Sequence, residues 1–365
     1  MSYFTTMNLP APTHEKFQEL LVRYWGQPDR AISDFEQALQ NFFDVPMART
    51  FSNCFTAIAL TLVHSTQGRA KSVAIAGLSY RRTADIVLWA GLRPLFVDNT
   101  PDTLSMDLDD LRKVLTTSDV GCILFQHPMV HIADIDAYLS VANSYGVPIL
   151  FDSVEATGGY YHGKRIGRFG IAEAFSLHPS KVINAAEGGV LTFGQETEYM
   201  AFLDTLVKFG IVCPKTHRNQ LFCLEPVHAV MGLASLEIYE QVRSIHKQQY
   251  LRYLSHLRNL RFLELIAYED SDSPNYKSIL VKIKSPYEPC RARLLAYLET
   301  FNIGARTYYA PLHGLTQGVN LPNAKCLAEQ YLILPIGHSV TLEDIDFICK
   351  TIAMFEADTL EVKDA

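Results

Sequence analysis

The sequence predicts an α/β protein built on a mostly parallel sheet. Short, continuous apolar runs recur between residues 72 and 152, and segments with helical spacing separate them. Runs of this length bounded by helices are typical of parallel strands that are buried on both faces. The predicted strands are Ser72–Ala76, Pro94–Asp98, Val120–Phe125 and Val147–Asp152.

The segment between the last two of these strands shows the helical pattern clearly. Its apolar residues recur every three or four positions and form one stripe, and Gly146 ends the helix. The stripe consists of Ile135, Tyr138, Leu139, Ala142 and Tyr145. Two further strands, Ala172–Leu177 and Gly189–Phe193, are predicted next. The residues between these two strands should therefore form a loop at the edge of the sheet.

The C-terminal third predicts a second, smaller α+β domain. A long amphipathic pattern begins near Val227 and connects it to the large domain, so we place the domains at residues 1–240 and 241–365. The small domain is predicted from the strand Ser278–Ile283 and from helices near Arg291–Tyr297 and Leu342–Phe355.

Composition narrows the functional class. The chain has 365 residues, 48% of them hydrophobic, which is enough for a large core. A net charge of −7 argues against general binding to nucleic acid or to a membrane surface. The N-terminal residues lack a secretory pattern, so we expect a cytoplasmic protein. Seven scattered cysteines without a C-x-x-C pair predict reduced thiols and no metal site.

A lysine lies between the last two predicted strands of the large domain. Lys181 can form a Schiff base with the aldehyde of pyridoxal phosphate, and Ser176 can hold the phosphate. Asp152, at the end of its strand, can pair with the ring nitrogen and keep it protonated. Each residue alone is more often an ordinary surface residue, but the three together favour this cofactor.

The run Ser176-Leu-His178-Pro-Ser180-Lys181, followed by Asn184 and Glu187-Gly188-Gly189, resembles the lysine motif of the DegT/DnrJ/EryC1/StrS sugar aminotransferases. The resemblance extends from about the first helix to Pro335. Other segments match in the family's order: Ser52-Asn53-Cys54, Pro94-Leu-Phe-Val-Asp98, Asp152, Gly163-Lys164 and Tyr309-Ala-Pro-Leu-His313.

The resemblance implies a fold-type-I, pyridoxal phosphate-dependent aminotransferase that forms a homodimer with shared active sites. Lys181 would be the Schiff-base residue and the proton shuttle. The enzyme would move an amino group, from glutamate, to a nucleotide-linked keto sugar in amino-dideoxy sugar biosynthesis. Two alternatives stay open: transamination of a sugar phosphate or cyclitol ketone, and a catalytically silent partner subunit.

The resemblance also implies a phosphate site at Asn53, Cys54 and Phe55, which precede an alanine-rich helix. Free N–H groups and the helix dipole favour an anion there, although a plain helix cap would look the same. The family usually has a small residue followed by threonine at this point. In this chain the threonine hydroxyl must come from Thr56 or be absent.

Three further positions bear on the cofactor. Tyr80 corresponds to an aromatic position near the ring. Glu155 stands where the family has glutamine or histidine. A carboxylate near the phenolate oxygen would be repelled unless it is protonated or paired, so a raised pKa is predicted. Leu221 stands where the family offers an asparagine from the neighbouring subunit to the phosphate. Residues that could compensate are His217, Arg218 and Asn219.

The remaining candidates concern the substrate. Arg81 and Arg82 form either an anion clamp or a pair of solvent-exposed surface arginines. His178 either shapes the sugar pocket or is a packing histidine. The resemblance implies further substrate contacts from Arg306, Tyr308 and His313.

Overall fold

We describe a computed structural model of the chain, which covers residues 14–213, 221–269, 273–287, 290–312 and 319–361. The helices are α1 His14–Tyr24, α2 Pro28–Phe43, α3 Cys54–Ser65, α4 Arg82–Trp89, α5 Leu108–Thr117, α6 Ile135–Ser144, α7 Glu196–Lys208, α8 Pro226–Glu237, α9 Tyr239–Leu257, α10 Arg291–Thr300, α11 Pro322–Gln330 and α12 Leu342–Glu361. The strands are β1 Met47–Phe51, β2 Ser72–Ala76, β3 Leu78–Ser79, β4 Arg93–Val97, β5 Cys122–Gln126, β6 Ile149–Asp152, β7 Tyr160–Tyr161, β8 Lys164–Arg165, β9 Ala172–Ser176, β10 Gly189–Phe193, β11 Leu263–Leu265, β12 Ile279–Ile283, β13 Arg306–Thr307, β14 Ala310–Pro311 and β15 Tyr331–Leu334.

A seven-stranded sheet forms the centre of the molecule, in the order β1-β10-β9-β6-β5-β2-β4. The strands from β9 to β4 pair in parallel, whereas β10 pairs antiparallel with both of its neighbours, β9 and β1. The predicted mostly parallel α/β architecture is therefore confirmed. Since parallel strands point the same way, the residues that follow β5, β6 and β9 meet at one edge of the sheet.

Both faces of this sheet are buried, as the continuous apolar runs predict. In β2, Val73 and Ile75 belong to the core on one face, and Ala74 and Ala76 belong to the core on the other. The first core continues into a second sheet of four antiparallel strands, in the order β11-β12-β15-β13. The two sheets therefore share packed side chains.

Two features connect the C-terminal residues to the large sheet. The amphipathic pattern that begins near Val227 forms two helices, α8 and α9, which meet at Ile238. Further along the chain, β14 returns to pair with β3, with Ala310 opposite Ser79. This pairing brings residues 306–311 beside the strand-end edge of the central sheet. None of the described helices has the length and hydropathy needed to span a membrane.

Candidate active site

Lys181 lies on the loop between β9 and β10. Hydrogen bonds within the loop hold its shape: Leu177 N–H donates to Gly188 O, and Ala185 N–H donates to Leu177 O, each at 2.9 Å. The amine of Lys181 turns inward, 3.1 Å from Glu155 Oε1, and its side chain is 19% exposed. Lys181 is thus held on an ordered loop and can be reached from a cavity.

Asp152 is the last residue of β6, opposite Gln126 at the end of β5. Its carboxylate is buried and accepts a hydrogen bond from the Val154 N–H at 3.3 Å. Burial raises the pKa of Asp152 to about 6, against the lowering effects of that hydrogen bond and of Lys181. A buried carboxylate without an ion-pair partner is suited to accept a protonated ring nitrogen.

The N-terminus of α3 lies across the cavity. Asn53 caps the helix, because its Oδ1 accepts the Thr56 N–H at 2.8 Å. The first intrahelical bond runs from Ala57 N–H to Asn53 O, so the Cys54 and Phe55 N–H groups have no acceptor within the helix. Asn53 is therefore a helix cap, and the phosphate site at these N–H groups stays a prediction. Thr56 is buried within α3 and supplies no hydroxyl to the cavity.

Gly189 permits the close approach of α3 to the sheet. A Cβ at this position would lie 2.4 Å from Cys54 N and 2.5 Å from Asn53 C. Contacts of that length with backbone atoms cannot be relieved by a side-chain rotation. Glycine at the start of β10 therefore sets the position of the helix N-terminus beside Lys181.

Ser176 and His178 stand on the near side of the same loop. The Ser176 hydroxyl oxygen accepts the His178 N–H at 3.3 Å, which leaves the hydroxyl proton free to donate. His178 Nδ1 lies 3.0 Å from Ser180 Oγ. His178 is thus tied to its own loop, although it also lines the cavity.

Glu155 departs from the sequence prediction. Burial by itself raises its pKa, but the ammonium groups of Lys181 and Lys277 overcome burial and lower the pKa to about 2. Lys277 Nζ lies 2.6 Å from Glu155 Oε2, on the side away from Lys181. The predicted raised pKa is therefore wrong, because a second lysine pairs with the carboxylate.

The candidate substrate residues lie around the cavity mouth. Arg82 forms an ion pair with Asp85 at 3.0 Å, and half of its side chain is exposed. Among the described residues, no carboxylate forms an ion pair with Arg81. Arg306 is exposed on β13, and Tyr308 is buried next to Tyr309, with ring centroids 4.4 Å apart.

A hydrogen-bonded bridge joins the two sides of the mouth. Gln126 Oε1 accepts the Tyr80 N–H at 3.0 Å, and Gln126 Nε2 donates to Tyr309 Oη at 2.9 Å. The rings of Tyr80 and Tyr309 also face each other edge-on at 6.4 Å. Tyr80 is thereby fixed at the opening, where its ring is 49% exposed.

One cavity of about 660 Å³ brings these groups together. His313, His217, Arg218 and Asn219 lie outside the described residues, and Leu221 is half-exposed and does not line the cavity. Every other predicted site residue lines it: Asn53, Cys54, Phe55, Tyr80, Arg81, Arg82, Asp152, Glu155, Ser176, His178, Lys181, Arg306 and Tyr308.

Among the lining residues to which sequence reasoning gave no role are Lys277, Gln126 and Tyr309. Gln126 ends a predicted strand beside Asp152, so its position at the strand-end edge was a usable signal. Lys277 precedes a strand of the other sheet and has no local signal of function. A second cavity, of about 770 Å³, lies between α2, β1 and α7 and contains none of the predicted site residues.

The site meets the requirements of pyridoxal phosphate. An accessible lysine amine, a buried carboxylate, a serine hydroxyl and a helix N-terminus with free N–H groups surround one space. These are the groups that this cofactor needs for its aldehyde, its ring nitrogen and its phosphate. The residues present therefore fit this cofactor.

Comparison with known proteins points to the same cofactor chemistry. Residues 11–353 match the model of the DegT/DnrJ/EryC1/StrS aminotransferase family. The GDP-perosamine synthase of Caulobacter vibrioides is 26% identical over 87% of this chain and 88% of its own length. The dTDP-4-amino-4,6-dideoxy-D-glucose transaminase of Shigella dysenteriae is 24% identical over 87% of this chain and 88% of its own.

Solved structures share the fold. The structure of DesI in the presence of its TDP-sugar product has a TM-score of 0.87 at 22% identity, over 99% of this chain and 95% of its own. The Helicobacter pylori aminotransferase PseC has a TM-score of 0.85 at 18% identity, over 98% of this chain and 100% of its own. The fold and the site define a fold-type-I, pyridoxal phosphate-dependent aminotransferase. The chain belongs to the DegT/DnrJ/EryC1/StrS aminotransferase family.

Proposed function

We propose that the protein transfers the amino group of glutamate to a nucleotide-linked keto sugar and so makes an amino-deoxy sugar. The single observation that carries this proposal is the cavity in which Lys181 and Asp152 lie below a mouth lined by Arg81, Arg82 and Arg306. Several relatives have names that describe amination of GDP-, dTDP- or UDP-linked sugars. Arginines suit the diphosphate of such carriers, because their guanidinium groups bind phosphate oxygens in pairs.

Each residue of the site has a role in this reaction. The cofactor supplies an electron sink that makes a proton on the substrate carbon acidic. Lys181 Nζ, as a neutral amine, takes up that proton and returns it. Asp152 would keep the ring nitrogen protonated, and the α3 N-terminus and Ser176 would hold the phosphate.

We propose a homodimer in which the partner subunit completes each site. The support is the family resemblance around Leu221, where other members place a residue that reaches the neighbouring cofactor. Sedimentation of the purified protein would test the dimer.

The test separates the two half-reactions. Glutamate should change the absorbance of the bound cofactor and release 2-oxoglutarate, and a nucleotide-linked keto sugar should then reverse the change. Phosphorylated keto sugars and cyclitol ketones, offered at equal concentration, should be poor acceptors. A faster reaction with either of these would replace the proposed acceptor, and no response to any amino donor would refute the function.

A further inference from the structure

Glu155 bridges two lysines in the buried part of the cavity. Its Oε1 lies 3.1 Å from Lys181 Nζ and its Oε2 lies 2.6 Å from Lys277 Nζ. The Glu155 side chain is 4% exposed and the Lys277 side chain 9%. The shorter contact is thus made by the lysine that solvent reaches less.

The backbone fixes this geometry. Asn275, which is buried, donates from Nδ2 to Glu155 O and to Thr157 O, both at 3.0 Å, and its Oδ1 accepts the Lys277 N–H at 3.1 Å. One amide therefore ties the loop after β6 to the residues that lead into β12. These hydrogen bonds join the main chain at Glu155 to the main chain at Lys277, so the two side chains are held close together.

We propose that Lys277 is the permanent counter-ion of Glu155, and that this pairing allows Lys181 to lose its proton and act as a neutral amine. The inference rests on the proposed function in one respect, namely that the proposed reaction requires Lys181 as a neutral amine. Lys277 acts through Glu155 and is therefore a positioning residue. The carboxylate keeps one ammonium partner whichever charge state Lys181 adopts.

The charge argument follows from burial. If Glu155 had Lys181 as its only partner, deprotonation of Lys181 would leave a buried carboxylate unpaired, which is strongly unfavourable. With Lys277 in place, the Nζ–H bond of Lys181 breaks, its electron pair stays on nitrogen and the proton passes to solvent through the mouth. Burial lowers the pKa of Lys277 to about 8, with Glu155 opposing that effect, so Lys277 is an ammonium near pH 7.

Other groups around the lysines do not replace Lys277. Burial raises the pKa of the Cys54 thiol and lowers that of His246 to about 4, so both are uncharged near pH 7. Burial likewise raises the pKa of the tyrosines that face Glu155, and these also stay neutral: Tyr268, Tyr308 and Tyr309. Among the residues that the structure describes, the charged groups that remain nearby are the anions Asp152 and Glu187 and the cation Arg306.

The test measures how fast Lys181 reacts with acetic anhydride near pH 7, in the full-length chain freed of cofactor. Mass spectrometry of the Lys181 peptide reports the rate, and the exposed Lys113 is the internal reference. The variants are Lys277→Met, Glu155→Gln and the double variant. Lys277→Arg keeps the charge, and Lys282→Met removes a charge from β12 away from Glu155.

Lys277→Met should slow labelling of Lys181 on the order of tenfold, because Glu155 then holds Lys181 as an ammonium. Glu155→Gln should speed it, the double variant should label at close to the Glu155→Gln rate because Lys277 acts through Glu155, and both controls should match the parent. Unchanged or faster labelling in folded Lys277→Met would overturn the proposal. If that variant does not fold, unchanged or faster labelling in Lys277→Gln would overturn it instead. Because no cofactor is present, these rates are independent of whether transamination is observed.

Discussion

At the scale of single residues, three buried carboxylates show how the site sets charge. Burial raises the pKa of Asp152 to about 6 and that of Glu173 to about 7. Glu155 is equally buried, yet its pKa falls to about 2 because two ammonium groups contact it. Partner charges, more than depth, therefore decide which carboxylate is anionic. The carboxylate assigned to the ring nitrogen is one that lacks a cation within ion-pair distance.

Replacement of Asp152 by Asn should lower the rate of the glutamate half-reaction by orders of magnitude while cofactor still binds. Asparagine preserves the shape but removes the charge that holds the ring proton. Stopped-flow absorbance measures the rate. Asp109→Asn, at an exposed position on α5, is the matched control. A parent-like rate in Asp152→Asn would mean that the ring nitrogen lies elsewhere.

Loss of Arg81 should weaken binding of the keto sugar by about 1.5–3 kcal/mol, the range for hydrogen bonds to charged groups. Arg82→Ala should cost less, because Arg82 already pairs with Asp85. Arg112→Ala is a suitable control, since Arg112 forms the same kind of ion pair with Asp109 on α5. The double variant belongs in the same cycle. If it binds the ketone as the parent does, the arginines are only surface residues. If it loses glutamate reactivity first, they serve the donor carboxylate.

At the scale of elements, the sequence predicts the features that depend on residues close together in the chain. Apolar runs located β2, β4, β5 and β6 to within two residues at each end, because strands buried on both faces are continuously apolar. The motif spacing predicted that Lys181 and Asp152 belong to one site, and both line the same cavity. Lys277 could not be predicted in this way, since it reaches Glu155 across more than a hundred residues of chain through the packing of two sheets. The break at Ile238 was also missed, because α8 and α9 share one apolar pattern.

A methyl group at Gly189 should disturb the contact between β10 and α3. Gly189→Ala places Cβ 2.4 Å from Cys54 N, so the helix N-terminus must shift. We expect a loss of about 1–3 kcal/mol in the free energy of unfolding and weaker cofactor binding. Gly91→Ala is the control, because a Cβ at Gly91 would meet no atom within 4 Å. The only strain there would come from the positive φ of the backbone. Parent-like affinity for the cofactor in Gly189→Ala would exclude this helix N-terminus as the phosphate site.

At the scale of the whole molecule, the site is assembled where the two sheets meet. Its lining runs from Asn53 in the large sheet's first crossover to Ile333 in β15. The pairing of β14 with β3 and the tie made by Asn275 close this junction from two sides. Side chains far apart in sequence are thereby held around one cavity, so the stability of the junction and the chemistry of the site depend on the same contacts.

The contribution of Glu173 to the free energy of unfolding of the cofactor-free protein should fall as pH rises from about 4.5 to about 7. The buried His127 and His246, whose pKa values burial lowers to about 3 and about 4, contribute in the opposite direction up to about pH 6.5. Glu173, fully buried, accepts hydrogen bonds from Gly167 N–H, Phe169 N–H and the Ser153 hydroxyl. Its pKa is raised to about 7, so the folded state binds more protons than the unfolded state in this window. Asp152 acts in the same direction up to about pH 6.

Urea unfolding at several pH values measures how the free energy of unfolding changes with pH, and Glu173→Gln should shift this slope in the positive direction because glutamine does not titrate. Glu155 acts in the opposite sense: its pKa is lowered to about 2, so its contribution is lost as pH falls from about 4.5 toward 2. An identical slope in the parent and in Glu173→Gln between about pH 4.5 and 7 would contradict this assignment.

The most direct test of the account is to trap the covalent link between the cofactor and the chain. The protein is loaded with pyridoxal phosphate, reduced with borohydride and digested, and the modified peptide is identified by mass. We predict a single reduced adduct on Lys181, and none in Lys181→Ala, which should stay folded but inactive because this lysine contributes chemistry more than packing. An adduct on Lys277, on any other lysine, or on none would contradict the central claim.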